Sequence, residues 1–85
     1  MTYKVILSSL ATKRFYALDR KVQVHLARRL DAASSNPMLF MKKLKGVRYF
    51  ALRAGDYRAI LDMDKKSGVM LVLDVGHRRD IYKRM

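Results

Sequence analysis

The chain has 85 residues, which is enough for one domain with a modest core that buries roughly 60–65% of the unfolded surface. It carries 19 Lys and Arg against 7 acidic residues, and the formal charge of +12 calls for an anionic partner such as nucleic acid, an acidic protein or a membrane surface. The absence of cysteine excludes a disulfide framework and thiolate chemistry.

The sequence also lacks motifs for binding a metal or a nucleotide and any apolar segment long enough to span a membrane. Its two histidines form no recognisable zinc spacing and it has no glycine-rich phosphate loop, so we expect neither a metal nor a cofactor. The longest apolar runs, MLFM and VMLVL, are far shorter than the roughly 20 residues that span a bilayer. We therefore expect a cytoplasmic protein that does not insert into membranes.

The first half of the chain predicts a strand and two helices. Residues 3–7, YKVIL, are typical of a strand, and Ser8 and Ser9 are good caps for the helix that follows. Apolar residues at helical spacing predict this helix, at Leu10, Ala11, Phe15 and Leu18. Asp19 can cap a second helix, whose apolar stripe is Val22, Leu26, Leu30 and Ala33. The segment SSNP at 34–37 ends that helix, because the residue before proline avoids the helical conformation.

The second half predicts three strands after a basic connector, MKKLKGVR, at residues 41–48. The strands cover residues 49–54, 57–63 and 69–75. Gly55-Asp56 joins the first two as a two-residue hairpin loop, and a longer loop, DKKSG, joins the second pair. The expected order is β-α-α-β-β-β in a single domain, residues 1–85.

The two-residue loop lets us sort the hairpin by face, since it sets Arg53 opposite Arg58. What we call the core face is nearly all apolar: Phe50, Leu52, Ala54, Tyr57, Ala59, Leu61 and Met63. The arginine face carries the residues between them: Tyr49, Ala51, Arg53, Arg58, Ile60 and Asp62. Like charges directly opposite each other cost about 0.2–1 kcal/mol, whereas a phosphate site has a reason to keep two guanidinium forks together. Alternatively, Asp62, Asp56 or Asp80 neutralises them, or they point into water.

The tail VGHRRDIY follows a third strand that is apolar on both faces and is therefore expected to lie centrally. Gly76 is expected to let the chain turn, bringing Arg78, Arg79 and Tyr82 beside the hairpin arginines. Arginine with an aromatic stacking plane is the combination typical of sites for single-stranded RNA. The alternative for Tyr82 is a buried tail anchor together with Ile81.

The segments LRAGDYRAILDMD and LVLDVGHRRDIY, with KLKG at 43–46, resemble the RelE branch of the RelE/ParE toxin superfamily over essentially the whole chain. The resemblance implies an α+β fold, β-α-α-β-β-β, with an antiparallel sheet. A helical hairpin would pack on one face, and the other would be concave and basic. It also implies the toxin of a type II toxin–antitoxin system, a ribosome-dependent endonuclease that cuts mRNA in the A site.

The family reaction is attack of a ribose 2′-hydroxyl on the adjacent phosphodiester, without a metal, giving a cyclic phosphate and a free 5′-hydroxyl. By resemblance, Arg58 in GDYR grips the scissile phosphate and Arg78 in GHRR assists the leaving 5′-oxygen. Tyr82 matches the aromatic residue that stacks on or orients the substrate nucleotide. Arg53 and Arg79 are further candidates for RNA binding on the same surface.

The sequence departs from the family pattern on the strand before GDYR. Where the best-known members have two lysines, Tyr49 and Ala51 stand here, which leaves the general base unassigned. Lys43, Lys45 or Arg48 of the connector are candidates to reach the RNA instead.

His77 is a candidate acid or base, since an unperturbed imidazole titrates near pH 6.5. The alternative is an ordinary surface or turn residue, because no paired acid is visible to tune it. His25, at the edge of a helical stripe, is expected to be structural or solvent-facing.

The resemblance and the charge together imply the partners. We expect an acidic, partly disordered RelB-like antitoxin, together with the ribosomal A site, mRNA and small-subunit rRNA. The free toxin is expected to be a monomer and to form a hetero-oligomer with its antitoxin. Two alternative hypotheses are a ParE-like, non-catalytic inhibitor of DNA gyrase and a basic RNA- or ribosome-binding protein that does not cleave RNA.

Overall fold

The computed structural model describes residues 2–84, which contain five strands and four helices. In chain order they are β1 (Lys4–Leu7), α1 (Ser9–Tyr16), α2 (Arg20–Ser35), α3 (Pro37–Phe40), β2 (Met41–Lys43), β3 (Phe50–Ala54), β4 (Tyr57–Asp64), β5 (Val69–His77) and α4 (Arg78–Arg84). Within this range, no helix is both long enough and apolar enough to cross a bilayer.

The strands form one sheet in the order β1-β5-β4-β3-β2. The predicted α+β class and the central place of β5 are confirmed, since β5 lies between β1 and β4. Strands β2 to β5 are antiparallel as expected, but β1 runs parallel to β5, with Lys4 opposite Val69. The predicted antiparallel sheet is therefore confirmed for β3 to β5, and β1 adds a parallel edge strand to it. No tight turn links β1 to β5, because three helices and three strands lie between them in the chain, so nothing forces an antiparallel pairing.

The predicted starts of both helices and the end of α2 agree with the structure, whereas α1 ends at Tyr16, before the predicted Leu18. The Ser8 hydroxyl oxygen accepts a hydrogen bond from the Ala11 N–H at 3.0 Å and caps α1. Asp19 occupies the N-cap position of α2, although its side chain makes no capping hydrogen bond. After α2 ends at Ser35, Pro37 begins the single-turn helix α3, which the sequence did not predict.

The basic connector also contains an element that was missed. Met41–Lys43 form the edge strand β2, in which Lys42 pairs with Ala51 of β3. Three residues are too few to display an alternating pattern, so the sequence alone indicates a connector at this position.

The core face lies under the helices, as predicted. Leu52, Ala59 and Leu61 of the sheet are fully buried, and Leu26 of α2 is buried with them. Phe50, Tyr57 and Met63 of the same face are partly buried at its margin. The alternation of apolar residues along β3 and β4 is therefore what holds the helices on the sheet.

The arginine face is less open than the sequence indicated. Ile81 of α4 is completely buried there and packs with Ala51 and Ile60 in a second, smaller apolar cluster. Gly76, predicted to turn the chain, instead lies within β5. A Cβ atom added to Gly76 would meet Arg84 Nη2 at 2.8 Å and Ile81 Cγ1 at 3.6 Å, so the glycine makes room for α4 against the strand.

Candidate active site

The turn between β3 and β4 fixes where the two hairpin arginines lie. Gly55 has φ +62°, as the first central residue of a type II′ turn requires, and another residue there would be strained. The register is the predicted one, with Arg53 opposite Arg58 and Ala54 opposite Tyr57. Both guanidinium groups therefore leave the sheet on the arginine face, one residue from its tip.

Backbone oxygens of the turn orient Arg58. Its Nη1 donates to the carbonyl oxygens of Gly55 at 2.7 Å and of Tyr57 at 3.0 Å. A guanidinium has five N–H donors, so these contacts fix the group while leaving donors for a ligand. Arg53 across the strand is exposed. The pair thus combines one arginine positioned by the turn with one exposed arginine.

Helix α4 begins directly beside this turn. The Arg78 N–H donates to the Asp56 carbonyl oxygen at 2.8 Å, and Gly76 pairs with Arg58 in the sheet. The side chains of Arg78 and Arg79 are exposed. The prediction that the tail lies beside the hairpin is confirmed, and we call Arg53, Arg58 and Arg78 the arginine site.

The carboxylates of residues 2–84 do not neutralise the arginine site. The ion pairs found there use other arginines: Arg14 and Arg84 with Asp74, and Arg48 with Asp62. Arg48 Nη2 lies 2.9 Å from Asp62 Oδ2, which removes the first of the carboxylates considered for Arg53 and Arg58. Asp56 and Asp80 take part in none of these pairs.

A cluster around Asp74 holds α4 against the sheet. Asp74 Oδ2 accepts from Arg14 Nη1 at 2.8 Å and from Arg84 Nε at 3.0 Å, so it joins α1, β5 and α4. Partial burial tends to raise the pKa of Asp74, but the hydrogen bonds and charges of Arg84 and Arg14 outweigh it and lower the pKa below its ordinary value. We call these three residues the Asp74 cluster.

Ile81 and Tyr82 differ in burial, which separates the anchoring role from the stacking role considered for Tyr82. Ile81 is fully buried and anchors α4, whereas the Tyr82 side chain is 51% exposed. The Tyr82 ring is therefore not the anchor, and an exposed ring in this place is accessible to a stacking base.

His77 lies on the other face of the sheet. It pairs with Tyr57 at the end of β5 and shares the core face with it, while Arg58 points the opposite way. The His77 and Tyr57 rings pack edge to face with their centroids 5.4 Å apart. His77 Nδ1 accepts a hydrogen bond from the Arg79 N–H at 3.2 Å. The structure does not bring His77 and the Arg58 guanidinium together.

Two of the connector cations named from the sequence, Lys43 and Arg48, are engaged away from the arginine site. Lys43 pairs with Phe50 on the core face. Its ammonium lies 5.7 Å from the centroid of the Phe50 ring and donates a hydrogen bond to the Val47 carbonyl oxygen. Arg48 is bound to Asp62, which lies four residues along β4 from Arg58, or about 13 Å at ~3.3 Å per residue. Lys45 is exposed in the turn after β2.

Lys42 was not singled out from the sequence, yet it shares the face of the arginine site. It lies opposite Ala51, whose side chain points to the arginine face. Alternation along residues 41–43 would have indicated this if β2 had been recognised as a strand.

Comparisons with known proteins support the resemblance. A family model described as the ParE toxin of a type II toxin–antitoxin system, parDE, matches residues 5–82. The chain belongs to this toxin family. A RelE-like toxin protein of Escherichia coli is 29% identical over 87 residues, covering 96% of this chain and 92% of that protein.

Solved structures of RelE toxins share the fold. The toxin–antitoxin complex RelBE2 of Mycobacterium tuberculosis matches with a TM-score of 0.84 at 22% identity, covering 92% of this chain and 100% of that chain. The archaeal RelE–RelB complex of Pyrococcus horikoshii OT3 matches with a TM-score of 0.77 at 26% identity, covering 92% and 97%. The predicted membership of the RelE/ParE superfamily is confirmed, and the chain is a type II toxin.

Proposed function

We propose that this toxin is a ribosome-dependent endonuclease that cuts mRNA in the A site and so stops translation. The observation that carries the proposal is the arginine site, in which Arg53, Arg58 and Arg78 lie at one end of the sheet without a carboxylate partner among residues 2–84. Several unpaired guanidinium groups at one end of a sheet suit an anion with several oxygens, such as a phosphodiester.

In the proposed reaction the ribose 2′-oxygen attacks the adjacent phosphorus and the bond to the 5′-oxygen breaks, giving a cyclic phosphate. The 2′-hydroxyl loses its proton and the 5′-oxygen gains one. Arg58, oriented by the turn carbonyls, stabilises the charge that develops on the phosphate oxygens, and Arg78 stabilises the leaving oxygen. Each well-placed donor of this kind is worth about 3–4 kcal/mol. The positive charge comes from the protein, so the proposed reaction uses no metal.

Tyr82 orients the substrate nucleotide in this proposal. Its exposed ring lies on the helix that Arg78 begins, so the base can stack while its phosphate meets the arginines. His77 packs against Tyr57 on the other face of the sheet, so it takes no part in the proposed reaction. Arg79, exposed beside Arg78, is assigned to the RNA backbone with Arg53.

An acidic antitoxin is the proposed partner that silences the toxin in the cytoplasm. The matched Mycobacterium tuberculosis structure is a toxin–antitoxin complex, and the Pyrococcus horikoshii RelE is in complex with RelB. A formal charge of +12 favours an acidic segment that folds on binding, and it disfavours self-association of the free toxin. We therefore propose a monomeric free toxin and a hetero-oligomer with a RelB-like protein.

Primer extension on a defined mRNA in a purified translation system tests the activity. Wild type, Arg58→Ala and Arg78→Ala are compared with and without ribosomes. We expect cuts in the A-site codon that require ribosomes and fade in both variants. Message that stays intact with wild-type toxin would contradict the proposal, and intact message on ribosomes that still bind the toxin would indicate a non-cleaving ribosome-binding protein.

A second candidate is inhibition of DNA gyrase, because the matching family model is that of ParE toxins. The absence of lysine at Tyr49 and Ala51 also fits a non-catalytic member. A supercoiling assay with purified gyrase separates the two: loss of supercoiling at toxin concentrations that leave ribosome-bound mRNA intact would favour the gyrase inhibitor.

A further inference from the structure

The edge strand β2 carries a cation on the arginine face. Lys42 pairs directly with Ala51, while its neighbours Met41 and Lys43 pair with Leu52 and Phe50 on the core face. Because side chains alternate along a strand, Lys42 is the residue of β2 that points to the same side as Arg53 and Arg58.

Lys42 is also within reach of the arginine site. Residues directly opposite in antiparallel strands have Cβ atoms about 4.5–5.5 Å apart, and diagonal neighbours such as Lys42 and Arg53 are about 7–8 Å apart. Ala51, between them, packs against Ile81 of α4, and the four-carbon stem of Lys42 is long enough to span the diagonal toward Arg53.

The surroundings of Lys42 differ from those of its neighbour Lys43. The Lys43 ammonium is engaged by the Phe50 ring and by the Val47 carbonyl. Lys42 is exposed, and the ion pairs found within residues 2–84 belong to Arg14, Arg48 and Arg84. Lys42 therefore keeps its charge available on the same face as the unneutralised arginines.

We propose that Lys42 is an RNA-binding residue that holds a backbone phosphate of the single-stranded substrate next to the phosphate gripped by Arg58. This assignment rests on the proposed endonuclease function and extends it by adding the β2 edge to the site. Lys42 contributes to holding the RNA rather than to the bond-breaking step, because Ala51 separates it from the Arg53–Arg58 pair.

The test compares Lys42→Gln with Lys65→Gln, which removes the same charge from the exposed turn after β4. Single-turnover cleavage of mRNA on programmed ribosomes gives the half-saturating toxin concentration and the maximal rate. We expect Lys42→Gln to raise the half-saturating concentration roughly tenfold and to leave the maximal rate unchanged, since a lost phosphate contact weakens binding. Lys42→Arg should restore wild-type behaviour, because it keeps the charge.

The salt dependence of ribosome binding provides a second readout that does not depend on cleavage. Losing one phosphate contact should reduce the slope of log affinity against log salt by about 0.7 for single-stranded RNA. Equal half-saturating concentrations and equal slopes for Lys42→Gln and Lys65→Gln would overturn the assignment. A wild type that binds ribosomes without cutting would instead overturn the endonuclease function, and the slopes would still decide the role of Lys42.

Discussion

The arginines of the Asp74 cluster and those of the arginine site are the same residue type in opposite electrostatic surroundings. Arg14 and Arg84 share the carboxylate of Asp74, whose side chain is only 16% exposed. Arg53 and Arg58 face each other across a hairpin, with no carboxylate partner among residues 2–84. The first arrangement stabilises the fold, whereas the second costs about 0.2–1 kcal/mol of stability.

The two groups of arginines differ in role: one attaches α4 to the sheet, and the other is proposed to bind RNA. The Asp74 cluster, together with Ile81, fixes α4 on the sheet. The hydrogen bond from the Arg78 N–H to the Asp56 carbonyl then sets the start of α4 beside the turn. In the proposed mechanism the paired arginines build the platform and the unpaired ones meet the RNA. Substitutions in the two groups should therefore affect different measurements.

The largest effect is expected from the arginine site. Arg58→Ala and Arg78→Ala should each lower the single-turnover cleavage rate by about 10²–10³-fold. The double variant should lose less than the product of the two, because both groups act on the same phosphate. Cleavage of a defined mRNA on ribosomes measures the three rates. Losses that multiply fully would show that the two arginines act independently.

Tyr82→Ala should reduce cleavage less, by roughly tenfold, since stacking of a base on an aromatic ring is worth about 1–3 kcal/mol. Tyr82→Phe is the matched control, because it keeps the ring and removes the hydroxyl. Thermal melts should be nearly the same for both, as the side chain is half exposed. A Tyr82→Ala variant with normal cleavage would remove Tyr82 from the site.

Asp74→Asn should act on stability instead. It should lower the free energy of unfolding by about 1–2 kcal/mol, since two arginines lose a charged acceptor. Because the folded-state pKa of Asp74 is lowered, its contribution is present above its unfolded pKa of about 3.9 and is lost as the pH falls through the folded value. Urea unfolding at pH 7 and pH 3 should give a large and a small difference between wild type and variant. An equal difference at both pH values would contradict the linkage.

The smallest effect concerns Arg53. Replacing it by Gln relieves the like-charge pair with Arg58 and should raise the free energy of unfolding by a few tenths of a kcal/mol to about 1 kcal/mol. The same variant should bind programmed ribosomes less tightly and with a shallower salt dependence. Urea unfolding and ribosome binding, measured on one preparation, give both values. A destabilised Arg53→Gln would mean that the pairing is not repulsive.

The β3–β4 hairpin could be predicted in detail from the sequence for a physical reason. A two-residue loop with glycine first allows one register, and alternation then assigns every side chain to a face. The long apolar stripe of α2 was equally informative, because Leu26 and Leu30 repeat at helical spacing. The position of Arg58 and its opposition to Arg53 followed from these local rules.

The short elements could not be predicted, since few residues carry each pattern. Strand β2 has three residues, and α4 has a single buried side chain, Ile81. The face of His77 was missed because β5 was expected to end at Val75. Two more residues of strand put His77 on the core face with Val75. Ion pairs such as Arg48 with Asp62 depend on tertiary distances that alternation does not contain.

The most direct test of this account compares Arg58→Ala with Arg14→Ala in the same single-turnover cleavage assay, at a temperature where melts show both variants folded. Arg14 is paired in the Asp74 cluster, and Arg84 still holds Asp74 when it is removed. We predict a loss of about 100-fold or more for Arg58→Ala and less than about threefold for Arg14→Ala. Equal losses in the two variants would contradict the division of the arginines into one group that holds the fold and one that meets the RNA.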